Sequence, residues 1–168
     1  MEEERTQSKT QEKIEAAFLA MLAHKDLEDI TVTGICSRAG TGRSSFYCYY
    51  RDSRDVLRAV EDRLLTELSS IIACSDLQDL GFYYAPRRYV ASHRGKFRLL
   101  LKKDCRFALR WKDAVKASLI PAVGENQLLA ETAASAVVSA YSLWLEGGGI
   151  KDFASYGDFI ASLLKDVL

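Results

Sequence analysis

Apolar residues recur at three- and four-residue spacing along most of this chain, and that period predicts an all-α protein of about nine helices with no strand. Ile14, Ala17, Phe18, Met21 and Leu22 form one stripe and predict a first helix over about 10–24, preceded by a charged, frayed stretch or short arm over 1–8. Thr31 is a good N-cap for a short helix with Val32, Ile35, Cys36 and Ala39 on one face. Gly40 stands where that helix ends in a left-handed residue. The run Arg43–Tyr50 is long enough for two turns, with a cation and two hydroxyls at its start and aromatics at its far end. Asp52 or Ser53 then caps a long helix reaching about Ala73, in which Val56, Leu57, Val60, Leu64, Leu68, Ile71 and Ile72 keep register.

Beyond Cys74 the pattern softens, and Gly81 with Pro86 predicts an irregular junction. Two or three shorter helices follow, around Tyr89-Val90, around Phe97 to Leu101, and around Phe107, Leu109, Trp111 and Val115, with a polar break at Lys102-Lys103-Asp104. The stretch Pro121–Asn126 reads as a loop. An eighth helix over about 127–145 is apolar nearly all round, and Gly147-Gly148-Gly149 ends it. Phe153, Tyr156, Ile160, Leu163 and Val167 predict a ninth over about 152–167.

A short helix, a glycine turn and a second helix with a polar start is the form of a helix-turn-helix, whose second helix enters the DNA major groove. The residues Thr31-Val32-x-x-Ile35-Cys36-x-Arg38-Ala39-Gly40 followed by Ser45-Phe46-Tyr47-x-Tyr49-Tyr50 closely resemble the DNA-binding signature of TetR-family transcriptional regulators. Lys13-Ile14-x-Ala16-Ala17-Phe18 fits the preceding helix of that family, so the specific match spans about residues 10–65. The remainder resembles the small version of the family's variable C-terminal domain, with an FRLLL-type segment at Phe97–Leu101. The chain departs from the family pattern at Thr41, usually a buried aliphatic, at Gly42, usually a Ser or Asn cap, and at Thr33, frequently Arg. Gly34 weakens the first turn of its helix by about 1 kcal/mol relative to alanine.

The resemblance implies a DNA-binding domain over 1–52 and a helical effector-binding and dimerisation domain over 53–168. Arg43, at the start of the second helix, is the expected base reader, since a guanidinium meets guanine O6 and N7 bidentately. Ser44 beside it reads a base or a phosphate. Ser45, Tyr47 and Tyr49 match family positions that bind phosphate, which fixes register without carrying sequence information. Thr31, Thr33, Thr41, Gly42 and Arg54 complete the expected contact set, while Phe46 and Tyr50 are expected in the core.

Net charge is zero over 168 residues, so no global basic footprint advertises nucleic acid, but the distribution is uneven. Residues 31–58 carry +3, residues 87–116 carry +9 and residues 117–168 carry −4. The basic middle suits solvated helix faces, an anionic ligand, a partner protein or the steering of DNA. Cys36, Cys48, Cys74 and Cys105 lie far apart with no ligand-type spacing, which suits free thiols in a reducing cytoplasm. The N-terminus lacks the apolar core of a secretion signal, and the most apolar run, Leu128–Leu145, contains Glu131 and several hydroxyls, fitting a packed helix better than a membrane span. His24 and His93 stand in no catalytic or metal-binding arrangement, and no phosphate-binding glycine loop is present, so neither an enzyme nor a metal or other cofactor is expected.

Aromatics of the C-terminal half, Tyr83, Tyr89, Phe97, Phe107, Trp111, Tyr141 and Trp144, are either core or the lining of a small effector pocket. Helices eight and nine are expected to form a four-helix bundle across the two-fold axis of a homodimer, through Ala133, Ala136, Val137, Ala140, Tyr141, Trp144, Phe159, Ile160 and Leu163. Such a dimer matches a palindromic double-stranded operator. The resemblance thus implies a transcriptional repressor relieved by a small molecule; the competing possibilities are a helical regulator switched by a protein co-regulator and an interaction module with reduced DNA binding.

Overall fold

The computed structural model describes residues 2–74, 80–123 and 126–147, with side chains over 9–74, 84–121 and 126–147. Among the described residues there are eight α-helices, one short 3-10 turn and no strand. The helices are α1 (Glu2–Leu22), α2 (Val32–Ala39), α3 (Arg43–Tyr47), α4 (Ser53–Ala73), α5 (Leu80–Ser92), α6 (Arg94–Lys103), α7 (Phe107–Val123) and α8 (Gln127–Glu146). The expected ninth helix, with Phe153, Tyr156, Phe159, Ile160 and Leu163, lies outside the described residues.

The chain divides into two compact units, residues 1–63 and 64–168, with α4 continuous through the division. In the first unit α1 packs on α2 and α2 on α3. Ile14, Phe18, Leu22, Ile35, Phe46 and Val56 are fully buried there. Each such side chain contributes about 1.5–3 kcal/mol by leaving water. In the second unit α8 packs on α7 and α6, and α6 on α5 and α7. Its core runs from Leu64, Leu68 and Ile72 through Phe97, Leu100, Phe107, Trp111 and Val115 to Ala130, Ala133, Ala134 and Leu145.

Several boundaries differ from the sequence expectation. Helix α1 begins at Glu2 rather than Thr10, since the polar run before Ile14 contains no glycine or proline to stop it. It ends at Leu22, and Lys25 N still donates to Met21 O at 3.0 Å in the turn that follows. Helix α3 is five residues, ending at Tyr47 rather than continuing to Tyr50. The expected irregular junction at Gly81 and Pro86 is instead helix α5, which carries Pro86 inside it. The ring sits in the buried face, so its packing offsets the hydrogen bond lost at the missing N–H. The expected loop from Pro121 is likewise helical as far as Val123, and Asn126 caps α8, its side chain accepting from Leu129 N at 3.1 Å.

Candidate nucleic-acid interface

Three local devices set the helix-turn-helix. Thr31 has extended backbone angles, and its side chain accepts a hydrogen bond from Gly34 N at 3.2 Å, satisfying one free donor of α2. Gly40 closes α2 with φ 64° and ψ 37°, a left-handed conformation that costs any Cβ-bearing residue roughly 1–2 kcal/mol. Gly34 allows α1 and α2 to approach, because a Cβ there would stand 2.9 Å from Met21 Cε and 3.3 Å from Thr31 Oγ1. The glycine that weakens α2 locally thus leaves room for the flexible tip of Met21, which a Cβ would oblige to shift.

Helix α3 is anchored by one face and offered by the other. Phe46 is fully buried and Tyr50 nearly so, while Tyr47 is 58% exposed. Arg43, Ser44 and Ser45 are exposed at the start of the helix, with Gly42 before them, and Thr41 and Tyr49 are half-buried beside them. From α2, the exposed Thr33 reaches the same place: its Oγ1 accepts a hydrogen bond from the Arg43 guanidinium. Thr31 and Arg54 are exposed as well. Arg54 pairs with Glu28 at 3.4 Å, a partner the sequence did not suggest. All ten expected contact residues therefore belong to one compact unit, and none is fully buried.

The start of α4 is fixed by Asp52, whose Oδ1 accepts from Asp55 N at 2.8 Å, and by Asp55, whose Oδ2 accepts from Arg51 N at 3.0 Å. The Arg51 side chain, then its backbone N–H, hold the Asp55 carboxyl below the usual carboxylate range.

A feature missed by sequence reasoning lies behind this surface. Glu15 on α1 is a buried carboxylate, 8% exposed, that accepts a hydrogen bond from Tyr50 Oη at 2.6 Å and pairs with Arg63 of α4. Burial, then the bond to Glu15, push the Tyr50 phenol well above its ordinary value. The sequence did carry a signal: Glu15, Phe18 and Leu22 share a helical stripe, and a carboxylate on such a stripe needs donors facing it.

In the second unit Tyr89, Phe97, Phe107, Trp111 and Tyr141 join in one chain of ring contacts, the tightest being Phe97–Trp111 at 4.7 Å between centroids. Phe97, Phe107 and Trp111 are fully enclosed. Trp144 lies under the Arg94 guanidinium at 4.9 Å, and the Tyr83 side chain lies outside those described. A separate groove of about 660 Å³ runs between Ile71 of α4 and Tyr84, Arg88, Tyr89 and Ser92 of α5. Of the residues expected at a dimer seam, Ala133 and Ala140 are buried within the single chain, whereas Ala136, Val137, Tyr141 and Trp144 are partly accessible.

No protein-family model and no curated protein matches the chain. Among solved structures it is similar to a TetR transcriptional regulator from Streptococcus agalactiae 2603V, with TM-score 0.72 and 20% identity over 97% of each chain. It is also similar to the dihydroxyacetone kinase operon activator DhaS, with TM-score 0.67 and 16% identity over 94% of this chain and 93% of that one. At these identities the likeness establishes the fold: this is the all-α architecture of a TetR-type regulator, extending over nearly the whole chain.

Proposed function

We propose that this TetR-like chain is a sequence-specific DNA-binding transcriptional regulator, acting as a homodimeric repressor that an effector releases from its operator. The observation that carries the reading is the division of α3 into a buried anchor, Phe46, and an exposed polar start, Arg43, Ser44 and Ser45. That is the arrangement a recognition helix needs, with side chains free to reach base edges from a helix held rigid behind them. Arg43 reads guanine, Ser44 a base or a phosphate, and Ser45, Tyr47 and Tyr49 hold the phosphate backbone. Thr31, Thr33, Thr41, Gly42 and Arg54 flank them. The dimer forms through α8, where Ala136, Val137, Tyr141 and Trp144 keep accessible surface, together with the segment that follows it.

The effector is a small molecule entering the α4–α5 groove beside Tyr89. A second reading, in which a protein does the switching, is favoured by the full enclosure of Phe97, Phe107 and Trp111, which fill the interior with one another. The free thiols Cys36, Cys48, Cys74 and Cys105 support a cytoplasmic location.

Selecting bound DNA from a random duplex library tests the central claim. A palindromic consensus with a guanine in each half-site is expected; recovery of no consensus would overturn it. A thermal-shift screen separates the two effector readings, because a ligand that binds the native state raises Tm.

A further inference from the structure

The strongest feature left unused by this reading is the basic surface on α6 and the start of α7. Helix α6 carries Arg94, Lys96, Arg98, Lys102 and Lys103 in ten residues and no acid. Lys102 and Lys103 sit in its last turn, where a cation suits the helix dipole. Arg94 and Lys96 sit in the first turn, where the dipole end is already positive and a carboxylate would be favoured. Arg98 and Lys102 add a like-charge i, i+4 pair, which costs a few tenths of a kcal/mol. The first turn and the Arg98/Lys102 pair thus oppose the stability of the helix, while the last turn favours it.

Three cations of the basic segment are matched. Lys112 and Lys116 both pair with Glu131 of α8, and Arg94 stacks on Trp144. Lys96, Arg98, Lys102 and Arg106 are all exposed and, among the described residues, have no ion-pair partner. A tight turn links the last two. Asp104 N donates to Leu100 O at 2.8 Å, Arg106 N to Asp104 Oδ1 at 2.8 Å, and Phe107 N to Asp104 O at 3.1 Å. One turn further on, Leu109 is 54% exposed.

We propose that Arg98, Lys102, Arg106 and Leu109 form a docking surface for an acidic segment of a partner protein. Charge complementarity selects a polyanion, and Leu109 selects a protein among polyanions. An exposed apolar side chain one turn from an arginine suits a protein interface, whereas a phosphate backbone has no apolar contact for it to make. The fitting partner presents carboxylates one helical turn apart, at about 6 Å, matching Arg98 and Lys102, with an apolar residue next to them. This surface does not depend on the DNA-binding reading, and it would serve a co-regulator whether or not a small effector exists.

Cys105 is exposed and directly precedes Arg106 in the chain, and Cys48 and Cys74 are exposed elsewhere, so thiol reactivity reports occupancy with internal controls. The test adds a synthetic acidic amphipathic peptide, Glu at i and i+4 with one Leu, to the full chain and follows labelling at all three thiols. Slowed labelling of Cys105 alone is expected. The double charge reversal Arg98→Glu/Lys102→Glu should weaken peptide binding at least about tenfold, and Leu109→Ser several-fold. Circular dichroism and DNA binding check that these variants fold. Unchanged Cys105 labelling, or equal peptide binding by the charge-reversed chain, would overturn the proposal. So would stronger protection of Cys105 by random-sequence duplex or by anionic phospholipid vesicles than by the peptide. Loss of operator binding in the wild-type chain would count against the regulator reading alone and leave this surface standing.

Discussion

The Tyr50 hydroxyl donates to the Glu15 carboxylate across 2.6 Å, joining α1 to the turn that leads into α4. Because Glu15 is buried, that donor and Arg63 replace the water the carboxylate has lost. Tyr50→Phe removes one of them without changing the ring that packs beside Phe46. Denaturant unfolding should show a loss of about 1.5–3 kcal/mol, the usual worth of a hydrogen bond to a charged group. A change below about 0.5 kcal/mol would show that Arg63 suffices.

Arg43 offers a sharper test of DNA reading. Arg43→Ala should cost roughly 1–3 kcal/mol of operator affinity and flatten base preference at one position per half-site. Thr33→Val keeps the shape but loses the acceptor for the guanidinium, and should blur the same position to a smaller extent. Tyr47→Phe, at an exposed phosphate-type position, should weaken binding to every sequence alike. Competition assays with single-base operator variants distinguish these patterns.

Gly40→Ala places a Cβ on a backbone at φ 64°. The expected cost is roughly 1–2 kcal/mol of stability, read from Tm. Gly42→Ala is expected to do far less, since Gly42 has φ −78° and nothing within 4 Å of an added Cβ.

Glu131 supplies the pH dependence. Hydrogen bonds from Lys112, then from Lys116, bring its carboxyl down to about 2. A depressed acid contributes stability above its unfolded value, near 4.5, and loses that contribution as pH falls towards 2. Tm of the wild type should therefore fall across that interval by more than Tm of Glu131→Gln, and the two curves should converge at the acid end.

Ala136→Glu tests the proposed dimer, putting a charge on an accessible small-residue position of α8. Sedimentation should report a monomer and operator binding should be lost. A dimer persisting at micromolar concentration would move the seam to another face.

Legibility in the sequence followed how locally each feature is determined. Thr31, Gly40, Asp52 and Gly147 act on backbone groups within four residues of themselves, so the ends they mark could be read directly. The continuation of α5 through Pro86 could not, because burial of the ring against neighbouring helices outweighs a local breaker; nor could that of α7, which carries the exposed Pro121 close to its end. The exposed face of α3 was legible from its polar start. The Glu15–Tyr50–Arg63 cluster was not, since its members are 35 and 13 residues apart and meet only after three segments have packed. Gly34 shows the same limit: in sequence it weakens a helix, and its nearness to the tip of Met21 is visible only in the packed unit.

Taken as the proposed recognition helix, α3 by its brevity also sets how much a single chain can read of DNA. Five residues at about 1.5 Å each advance ~7.5 Å, roughly two base-pair steps of 3.4 Å. Two fully determined base pairs convey about four bits, whereas singling out one site among ~10⁶ requires about twenty. The remaining information has to come from repetition, from sequence-dependent duplex shape under the flanking phosphate contacts, or from both. An operator consensus for this protein should therefore show a few sharply defined letters set within longer stretches of weak preference.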